Sequence, residues 1–221
     1  ADGVVKGILA ALDETGIRPG DIAEVLHGCT IATNAILEGR GASTALVTTR
    51  GFRDVLEIKR TRIPELYAPL YVKPPPLAPR NLRFEITERL GPRGDVRIPL
   101  AEDEIPKIIE RIADAKVEAV AVCFIHSYAN AEHEQTLGAA LRDALPEVFV
   151  TLSSDLLPEI REYERTSTTV INAYVGPPVR HYIGSLINNL KAVGIDAPLM
   201  VMQSGGGVLE AELVMEKPAL I

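Results

Sequence analysis

One stretch of nine residues limits the fold of this chain more than any other feature. Val117–Ile125 is an almost continuous apolar run of strand length, and a strand that is apolar on both sides must be covered on both sides. Apolar residues at helical spacing precede it over 105–112, and a helix bearing Leu137 and Leu141 follows it. This alternation predicts an α/β fold with a mostly parallel or mixed sheet and helices on both faces.

The same kinds of pattern predict further elements. Apolar residues at helical spacing predict a helix over 2–15, and β-branched or apolar runs predict short strands. The strands are expected at 22–26, 43–49, 149–152 and 199–202. A polar, threonine-rich helix is expected after Glu159, and a second helix is expected to start at Pro177-Pro178, because proline is tolerated in a first turn but not inside a helix.

Six prolines interrupt the alternation of strands and helices. They are Pro64, Pro69, Pro74, Pro75, Pro76 and Pro79. Proline can neither donate to a strand ladder nor continue a helix. We therefore predict a first α/β segment over 1–59, a proline-rich insert or connection over 60–100, and a second α/β segment over 101–221. Within the insert, short strands are expected at 82–90 and 96–98.

Charge and composition restrict the classes of partner. The 221 residues include 23 basic and 30 acidic side chains, a formal net charge of −7, which disfavours nucleic acid and anionic membrane surfaces as partners. No window reaches the roughly 18 consecutive apolar residues of a membrane span, and the first residues lack the features of a signal peptide. With only two cysteines, a cytoplasmic protein is expected.

A glycine-rich loop follows the strand predicted at 199–202. Ligands of open α/β sheets bind outside the carboxyl ends of strands, and this is where Gln203-Ser204-Gly205-Gly206-Gly207 lies. Bare glycine amides can approach a phosphate or a carboxylate. The alternative is a plain strand-to-helix turn. The sequence contains neither a P-loop nor a dinucleotide fingerprint.

A second ligand-facing turn is predicted at His27-Gly28-Cys29-Thr30. It closes one strand and opens a helix that is capped by Thr30 or Thr33 and runs to about Glu38. Its amides and hydroxyl could face a ligand, and Cys29 beside His27 also permits a nucleophile. A capping turn with a half-buried thiol is the plainer interpretation.

A metal centre is a weaker alternative. Cys123, His126 and His133 combine a thiol with two imidazoles, which are zinc ligands. Their spacing matches no common zinc pattern, and Cys123 lies in an apolar strand, which favours a position in the core.

The polar run 161–169 has two interpretations. Its density of donors and acceptors is typical of a solvated helix face, on which Glu162 pairs with Arg161 or Arg165. The alternative is a site or an interface.

Several stretches together resemble one known family. They are His27–Glu38, Ala45–Ile58, His126–Asn130 with His133-Glu134, Pro158–Arg165, Asn172–Tyr174 and Met202–Gly207. Over nearly its whole length the chain resembles the A-type subunit, or A-type half, of the ATP-dependent hydantoinases and 5-oxoprolinases.

The resemblance implies an actin-like (ribonuclease-H-like) ATPase fold, incomplete in this chain. It also implies that ATP, with Mg²⁺, activates the amide oxygen of a cyclic imide or lactam before water opens the ring. Such chemistry needs anion-binding amides and positioned polar groups more than a special nucleophile. The residues expected near substrate or nucleotide, in orienting roles, are His27, Thr30, Thr33, Asn34, Gln203, Ser204, Gly206 and Gly207. No general base is assigned.

The chain departs from the family pattern in three ways. Cys29 stands where the family usually has threonine, and Gly205 where it usually has asparagine. Members also carry Asp-x-Gly-Gly-Thr phosphate loops near their start and beyond the Gln-Ser-x-Gly-Gly stretch, and this sequence has neither loop. We therefore expect an internal fragment that binds and hydrolyses no ATP by itself, with 101–221 leading into a further ATPase half.

Three functions follow from the resemblance. The first is part of an ATP-dependent hydrolase of a small cyclic amide, with a B-type subunit or half as its partner. The second is a subunit of an ATP-dependent ketone carboxylase. The third is a non-catalytic actin-like module that holds a B-type subunit. An uncovered strand edge or apolar face would in addition favour a homo-oligomer.

Overall fold

The structure, a computed structural model, describes residues 2–60, 67 and 70–221. Pro64 and Pro69 of the predicted proline-rich segment lie outside the described residues. The chain divides into two compact units, one formed by Ala1–Gly41 with Val175–Ile221 and the other by Ala42–Tyr174.

The helices and strands follow one another along the chain as α1 (Asp2–Thr15), β1 (Val25–His27), α2 (Ile31–Leu37), β2 (Thr44–Thr49), α3 (Val55–Ile58), β3 (Arg83–Ile86), β4 (Arg89–Leu90), β5 (Val96–Ile98), α4 (Ile105–Asp114), β6 (Ala119–Cys123), α5 (Glu132–Ala144), β7 (Phe149–Leu152), α6 (Ser153–Leu156), α7 (Glu162–Ala192), β8 (Leu199–Met202), β9 (Val208–Glu210) and α8 (Ala211–Glu216). Short 3₁₀ turns lie at 19–21, 80–82, 102–104 and 218–220.

A four-stranded parallel sheet organises the unit Ala42–Tyr174. Its strand order is β3-β2-β6-β7, and every residue of β2 and β6 is buried. Side chains alternate between two cores: Val47 and Val122 pack with residues of α4 and α5, whereas Leu46 and Ala121 pack with residues of α7. Helices thus cover both faces, and the predicted α/β class with a mostly parallel sheet is confirmed.

The region predicted as a proline-rich insert contributes a strand to this sheet. β3 lies within 60–100 and pairs with β2 in register from Leu46 with Arg83 onwards. Phe84 and Ile86 are buried in the same core as β6, so the expectation of one exposed strand over 82–90 is wrong. The boundaries of the compact units therefore differ from those of the predicted segments. The burial of β3 in the sheet keeps it in the same unit as β2 and β6, although prolines precede it.

Unit Ala1–Gly41 with Val175–Ile221 has a smaller sheet, in the order β1-β8-β9. β1 is parallel to β8, and β9 returns antiparallel to β8. Val201 is fully buried on one face of the sheet, whereas Leu26, Met202 and Val208 are 55%, 47% and 43% exposed. Since residues paired across a sheet share a face, the pairings of Leu26 with Met200 and of Met202 with Val208 put these exposed side chains on one face, which they share with Glu210.

The expected helix start at Pro177-Pro178 is wrong, because both prolines lie inside the single helix α7. Proline removes the amide that would bond the carbonyl four residues earlier, and for Pro178 that carbonyl belongs to Tyr174. The Ala42 amide donates to the Tyr174 carbonyl instead, at 2.8 Å. A loop amide therefore satisfies the acceptor that the second proline frees. Across the described part of the chain, no helix combines the length and apolarity that crossing a bilayer requires.

Two helical glycines offer a matched test of this packing. A Cβ on Gly138 of α5 would lie 2.8 Å from a methyl carbon of Leu152, whereas a Cβ on Gly184 of α7 would meet nothing within 4 Å. We expect Gly138→Ala to lower the free energy of unfolding by about 1–3 kcal/mol through overpacking. Gly184→Ala should raise it by about 0.5–1 kcal/mol through helix propensity. Urea denaturation of both variants measures this, and destabilisation by both would contradict the packing described.

Candidate functional site

The two predicted ligand loops leave their sheet at the same edge. β1 and β8 are parallel neighbours, with His27 opposite Val201. The turn 27–30 and the loop 203–207 therefore both follow carboxyl ends of adjacent strands, the usual position of ligands in sheets of this kind. Within the described part of the chain, no hydrogen bond joins the two loops directly. A pocket of about 180 Å³ in the same unit lies elsewhere, next to Asp196 and Glu212.

His27 is held at the end of β1 by a tyrosine. Its Nε2 lies 2.9 Å from the Tyr182 hydroxyl of α7, and the ring centroids are 5.8 Å apart. Burial lowers the pKa of His27 and raises the pKa of Tyr182. The pair is therefore a neutral, oriented hydrogen-bonding group rather than a charged one. Cys29 lies half-buried in the following turn.

The first turn of α2 carries the other predicted residues of this loop. Thr30 takes the N-cap position but makes no side-chain bond to the helix backbone. Its Oγ1 accepts instead from Asn34 Nδ2 at 3.3 Å. Thr30, Thr33 and Asn34 are all exposed, so their polar groups face solvent at the sheet edge. This is an accessible donor and acceptor surface beside His27.

The glycine-rich loop is the turn of a β-hairpin, so the alternative of a strand-to-helix turn is wrong. The Gln203 amide donates to the Gly207 carbonyl at 2.8 Å, and the Gly206 amide donates to the Gln203 carbonyl at 3.0 Å. Gly206 has φ +87°, a conformation that favours glycine. The hairpin presents exposed backbone between β8 and β9.

Gln203 has a different role from its neighbours. Its Nε2 donates to the Leu220 carbonyl at 2.8 Å, and a Cβ on Gly207 would lie 2.5 Å from its Oε1. The side chain is therefore committed to holding the hairpin. Ser204 and Gly206 are exposed at the tip and remain open to a ligand.

The environment of His27 predicts a pH dependence of stability. Because its pKa in the folded chain lies below the ordinary value of 6.5, the unfolded chain binds the proton more readily. Stability should therefore rise as the pH rises towards 6.5 and gain nothing further from this group above it. His27→Gln should remove this component. Urea unfolding between about pH 5 and about pH 7.5 measures it.

The matched control is His181→Gln, an exposed histidine on α7. This variant should keep the pH dependence of the wild type. Equal slopes for His27→Gln and the wild type would contradict the lowered pKa.

The three residues of the metal alternative are bound to other groups. Cys123 Sγ accepts from Thr166 Oγ1 at 3.1 Å, and burial raises the pKa of this thiol. His126 Nδ1 lies 2.9 Å from the Leu90 carbonyl, and His133 Nδ1 lies 2.8 Å from Glu88 Oε2. Among the described residues no group of three such side chains could hold a metal ion.

A buried polar network lies at the carboxyl edge of the four-stranded sheet. Thr49 Oγ1 donates to Glu88 and accepts from the Ile125 amide at 2.9 Å. His133 Nδ1 contacts the other oxygen of the Glu88 carboxylate, Oε2, at 2.8 Å. This edge is a topological switch point, since β2 connects to β3 on one side and the chain then returns to place β6 on the other side of β2. Sheets of this kind usually have a ligand-binding crevice at such a point. Here the side chains of Thr49, Glu88 and His133 fill it.

Glu134 is the second fully buried carboxylate of this edge. It accepts from the Phe124 amide at 2.7 Å, from Ser153 Oγ at 2.7 Å and from the Ser154 amide at 2.8 Å. Three donors on one carboxylate fix the residues that follow β6 and β7. Ser127 Oγ extends the network to Ser153 Oγ at 3.0 Å.

Arg165 overturns the expectation of a solvated face over 161–169. Its side chain is buried, and its guanidinium donates to the carbonyls of Phe124 and Glu159 at 2.6 and 2.9 Å. Among the described residues it forms no ion pair with Glu162, its predicted partner. Thr166 and Thr169 are buried beside it, because this end of α7 covers the sheet. The exposed Glu164 does form an ion pair, with Arg60 at 2.5 Å.

These buried partners were not found from the sequence. Glu88 and His133 are 45 positions apart, and no spacing rule joins them. The available signal was the placement of Thr49 and Ile125 at the carboxyl ends of two strands that were expected to be parallel, where unpaired polar groups need partners.

Glu134 can be tested against a neighbour. Glu134→Gln places an amide NH₂ where backbone and serine donors converge, so a buried donor loses its acceptor. We expect the free energy of unfolding to fall by about 1–3 kcal/mol. Glu132→Gln, exposed on the same helix, should change it by less than about 0.5 kcal/mol. Equal losses in chemical denaturation would contradict the network.

Comparison with known proteins identifies relatives along the whole chain. Residues 1–145 match the hydantoinase/oxoprolinase N-terminal region, and residues 165–221 match the hydantoinase/oxoprolinase family. The chain is 39% identical over 216 residues to an uncharacterised protein of Methanocaldococcus jannaschii, covering 96% of this chain and 32% of that protein. It is 35% identical over 222 residues to caprolactamase subunit alpha of Pseudomonas jessenii, covering 96% and 31%.

Two solved structures share the fold. The ATP-dependent caprolactamase from Pseudomonas jessenii superposes with a TM-score of 0.85 over 94% of this chain and 31% of that chain, at 35% identity. A nucleotide-free acetone carboxylase gives a TM-score of 0.78 over 88% and 29%, at 23% identity, a likeness of fold alone. The chain spans about a third of the length of the relatives it matches.

Proposed function

The chain belongs to the hydantoinase/oxoprolinase family, and from this premise we propose that it is part of an ATP-dependent hydrolase of cyclic amides. The observation that carries the proposal is an accessible edge on two adjacent parallel strands. It is formed by the turn 27–30 with the first turn of α2, and by the hairpin loop 203–207. The likeness to an ATP-dependent caprolactamase over 94% of the chain supports it. A cyclic amide is the proposed substrate class.

The chemistry explains why this edge needs polar groups rather than a nucleophile. An amide carbonyl is a poor electrophile, and ATP, when bound, supplies a phosphoryl group that converts the amide oxygen into a leaving group. Water would then add to the carbon, the ring C–N bond would break as the nitrogen takes up a proton, and a second water would release the phosphoryl group as inorganic phosphate. The protein's contribution is to position the carbonyl and to meet developing charge with fixed donors.

The residues of the edge suit orientation. The exposed backbone amide of Ser204 can donate to a carbonyl or phosphate oxygen, and the hydroxyl of Thr33 and the side-chain amide of Asn34 can do the same. The His27–Tyr182 pair is neutral, so it offers a hydrogen bond without competing for protons near neutral pH. Gln203 stabilises the hairpin through its hydrogen bond to the Leu220 carbonyl.

Magnesium is not assigned to these residues. A Mg²⁺ ion in a phosphoryl-transfer site is held by carboxylates and phosphate oxygens, and the described residues offer no carboxylate at either loop. We therefore propose that the groups for the ion and for most of the nucleotide come from segments corresponding to the parts of the relatives that this chain does not match. A B-type subunit is the proposed partner, in keeping with the subunit naming of the caprolactamase relative.

Turnover by the complete gene product with its partner subunit tests the proposal. ADP release should depend on a lactam or hydantoin, with 5-oxoproline, hydantoin and caprolactam as probes. The combined Thr33→Ala and Asn34→Ala substitutions remove two side-chain donors and should lower kcat/KM for the lactam by about tenfold or more, the effect of losing roughly 1.4 kcal/mol of transition-state binding.

The matched control is Asn188→Ala, an exposed asparagine of α7 outside both loops, which should leave kcat/KM unchanged. ADP release that requires bicarbonate and a ketone would instead make the protein a carboxylase subunit. Partner binding without any ATP turnover would leave a non-catalytic module. Either result overturns the hydrolase proposal.

A further inference from the structure

A pocket beside β3, the outermost strand of the four-stranded sheet, is rich in positive charge. It has a volume of about 240 Å³ and lies within the unit Ala42–Tyr174. Five basic side chains line it: Arg50, Arg53, Arg83, Lys107 and Arg111. Only two carboxylates, Glu85 and Glu104, accompany them, which leaves an excess of three positive charges. The whole chain carries a net charge of −7, so the charge of the pocket is opposite in sign to that of the chain.

The two carboxylates of the pocket are already engaged. Glu104 accepts from Arg50 at 2.8 Å and from the amide and hydroxyl of Thr87 at 3.0 and 2.9 Å. Glu85 accepts from the Gly51 amide at 2.7 Å. Its distance of 3.9 Å to Arg53 is too long for a hydrogen bond. Glu104 is therefore paired with Arg50, and Glu85 is only loosely paired with Arg53.

Two of the basic side chains are available to a ligand, and a third, Arg53, has its carboxylate partner Glu85 as far away as 3.9 Å. Lys107 and Arg111 lie four residues apart on α4, hence on one face of the helix, and neither has a carboxylate partner among the described residues. Arg111 stacks over the Phe84 ring at 4.7 Å, which fixes the direction of its guanidinium. Arg83 is held separately by Glu57 at 3.0 Å and by the Ala78 carbonyl at 2.9 Å.

Lys107 and Arg111 repel each other. Like charges four residues apart on a helix repel each other and weaken it, and a nearby third cation adds to the repulsion. A bound anion with several oxygens would reverse the sign of this interaction. Guanidinium groups in fixed orientation recognise phosphate through paired N–H···O bonds.

We propose that this pocket binds a phosphate group, either as inorganic phosphate or as the terminal group of a small phosphate monoester. Arg53, Lys107 and Arg111 contact the oxygens, and Glu85 and Glu104 hold the walls. The volume fits a small molecule rather than a folded partner. The site is separate in residues and in compact unit from the loops of the proposed function, and it does not depend on that function.

An NMR titration of the ¹⁵N-labelled protein with sodium phosphate tests the site, with ionic strength held constant by sodium chloride. We expect saturable shifts at residues 50–53 and 107–111 with a Kd of about 1 mM or tighter. The combined Lys107→Gln and Arg111→Gln substitutions should raise the Kd at least fivefold. Phosphate should also raise the Tm of the wild type more than that of this variant.

Two control variants separate the site from net charge and from misfolding. Lys6→Gln with Arg142→Gln removes the same charge from exposed positions on other helices and should leave the Kd within twofold. The exchange Lys107→Arg with Arg111→Lys keeps both charges and should retain binding. If both neutralised variants weaken binding equally, or if the wild type shows no saturable shifts, the proposal fails.

The source of the phosphate group is resolved by parallel titrations. Tighter binding of glycerol phosphate than of inorganic phosphate indicates a monoester ligand, and the reverse order indicates free phosphate. A tetraglutamate peptide serves as the competing class. Binding of that peptide, but of neither phosphate probe, would show a surface for an acidic protein segment and overturn the proposal.

Discussion

The parallel pairing of β2 with β3 on one side and with β6 on the other is the constraint from which the larger unit follows. A strand buried on both faces offers no surface to water, so helices must cover both sides. Parallel neighbours also require crossover connections. The isoleucines of α4 and the leucines of α5 on one face, and the small residues of α7 on the other, are the side chains that meet these demands.

The same pairing collects unsatisfied polar groups at one edge. Strands that run in one direction end together, and the amides that follow them need acceptors in a place that water does not reach. Glu88 and Glu134 supply acceptors there, and Arg165 donates to the carbonyl of Phe124. In the smaller unit the corresponding edge is left open, with Ser204 and Asn34 exposed. The two edges have similar topology and opposite accessibility.

Periodicity along the sequence identified elements whose structure is decided locally. The helix over 2–15 and the strands at 149–152 and 199–202 have the predicted bounds, because side-chain spacing alone defines their buried face. The exposed strand at 96–98 also has the predicted bounds. The family, and with it the α/β fold class, could also be predicted, since long motifs were present. The turn at Thr30 lies where the capping pattern indicated, although its hydroxyl bonds Asn34 rather than the backbone.

What could not be predicted depends on partners distant in sequence. Pro178 lies inside α7 because a loop amide at Ala42 satisfies Tyr174, and no local rule anticipates that. Arg165 is buried because two carbonyls from other elements receive its guanidinium. β3 joins the main sheet although prolines precede it, because Phe84 and Ile86 gain more from burial than a solvated edge would give.

The division of the chain bears on its synthesis. β1 belongs to a sheet whose next strand, β8, pairs Leu199 with Val25, so the partner emerges from the ribosome only after the whole of the other unit. At roughly 5–20 residues per second, on the order of 10–30 seconds pass between the synthesis of β1 and that of β8. The larger unit can complete its own sheet in that interval. Its sheet can therefore form first. In the smaller sheet, β8 then pairs with a strand that was translated long before.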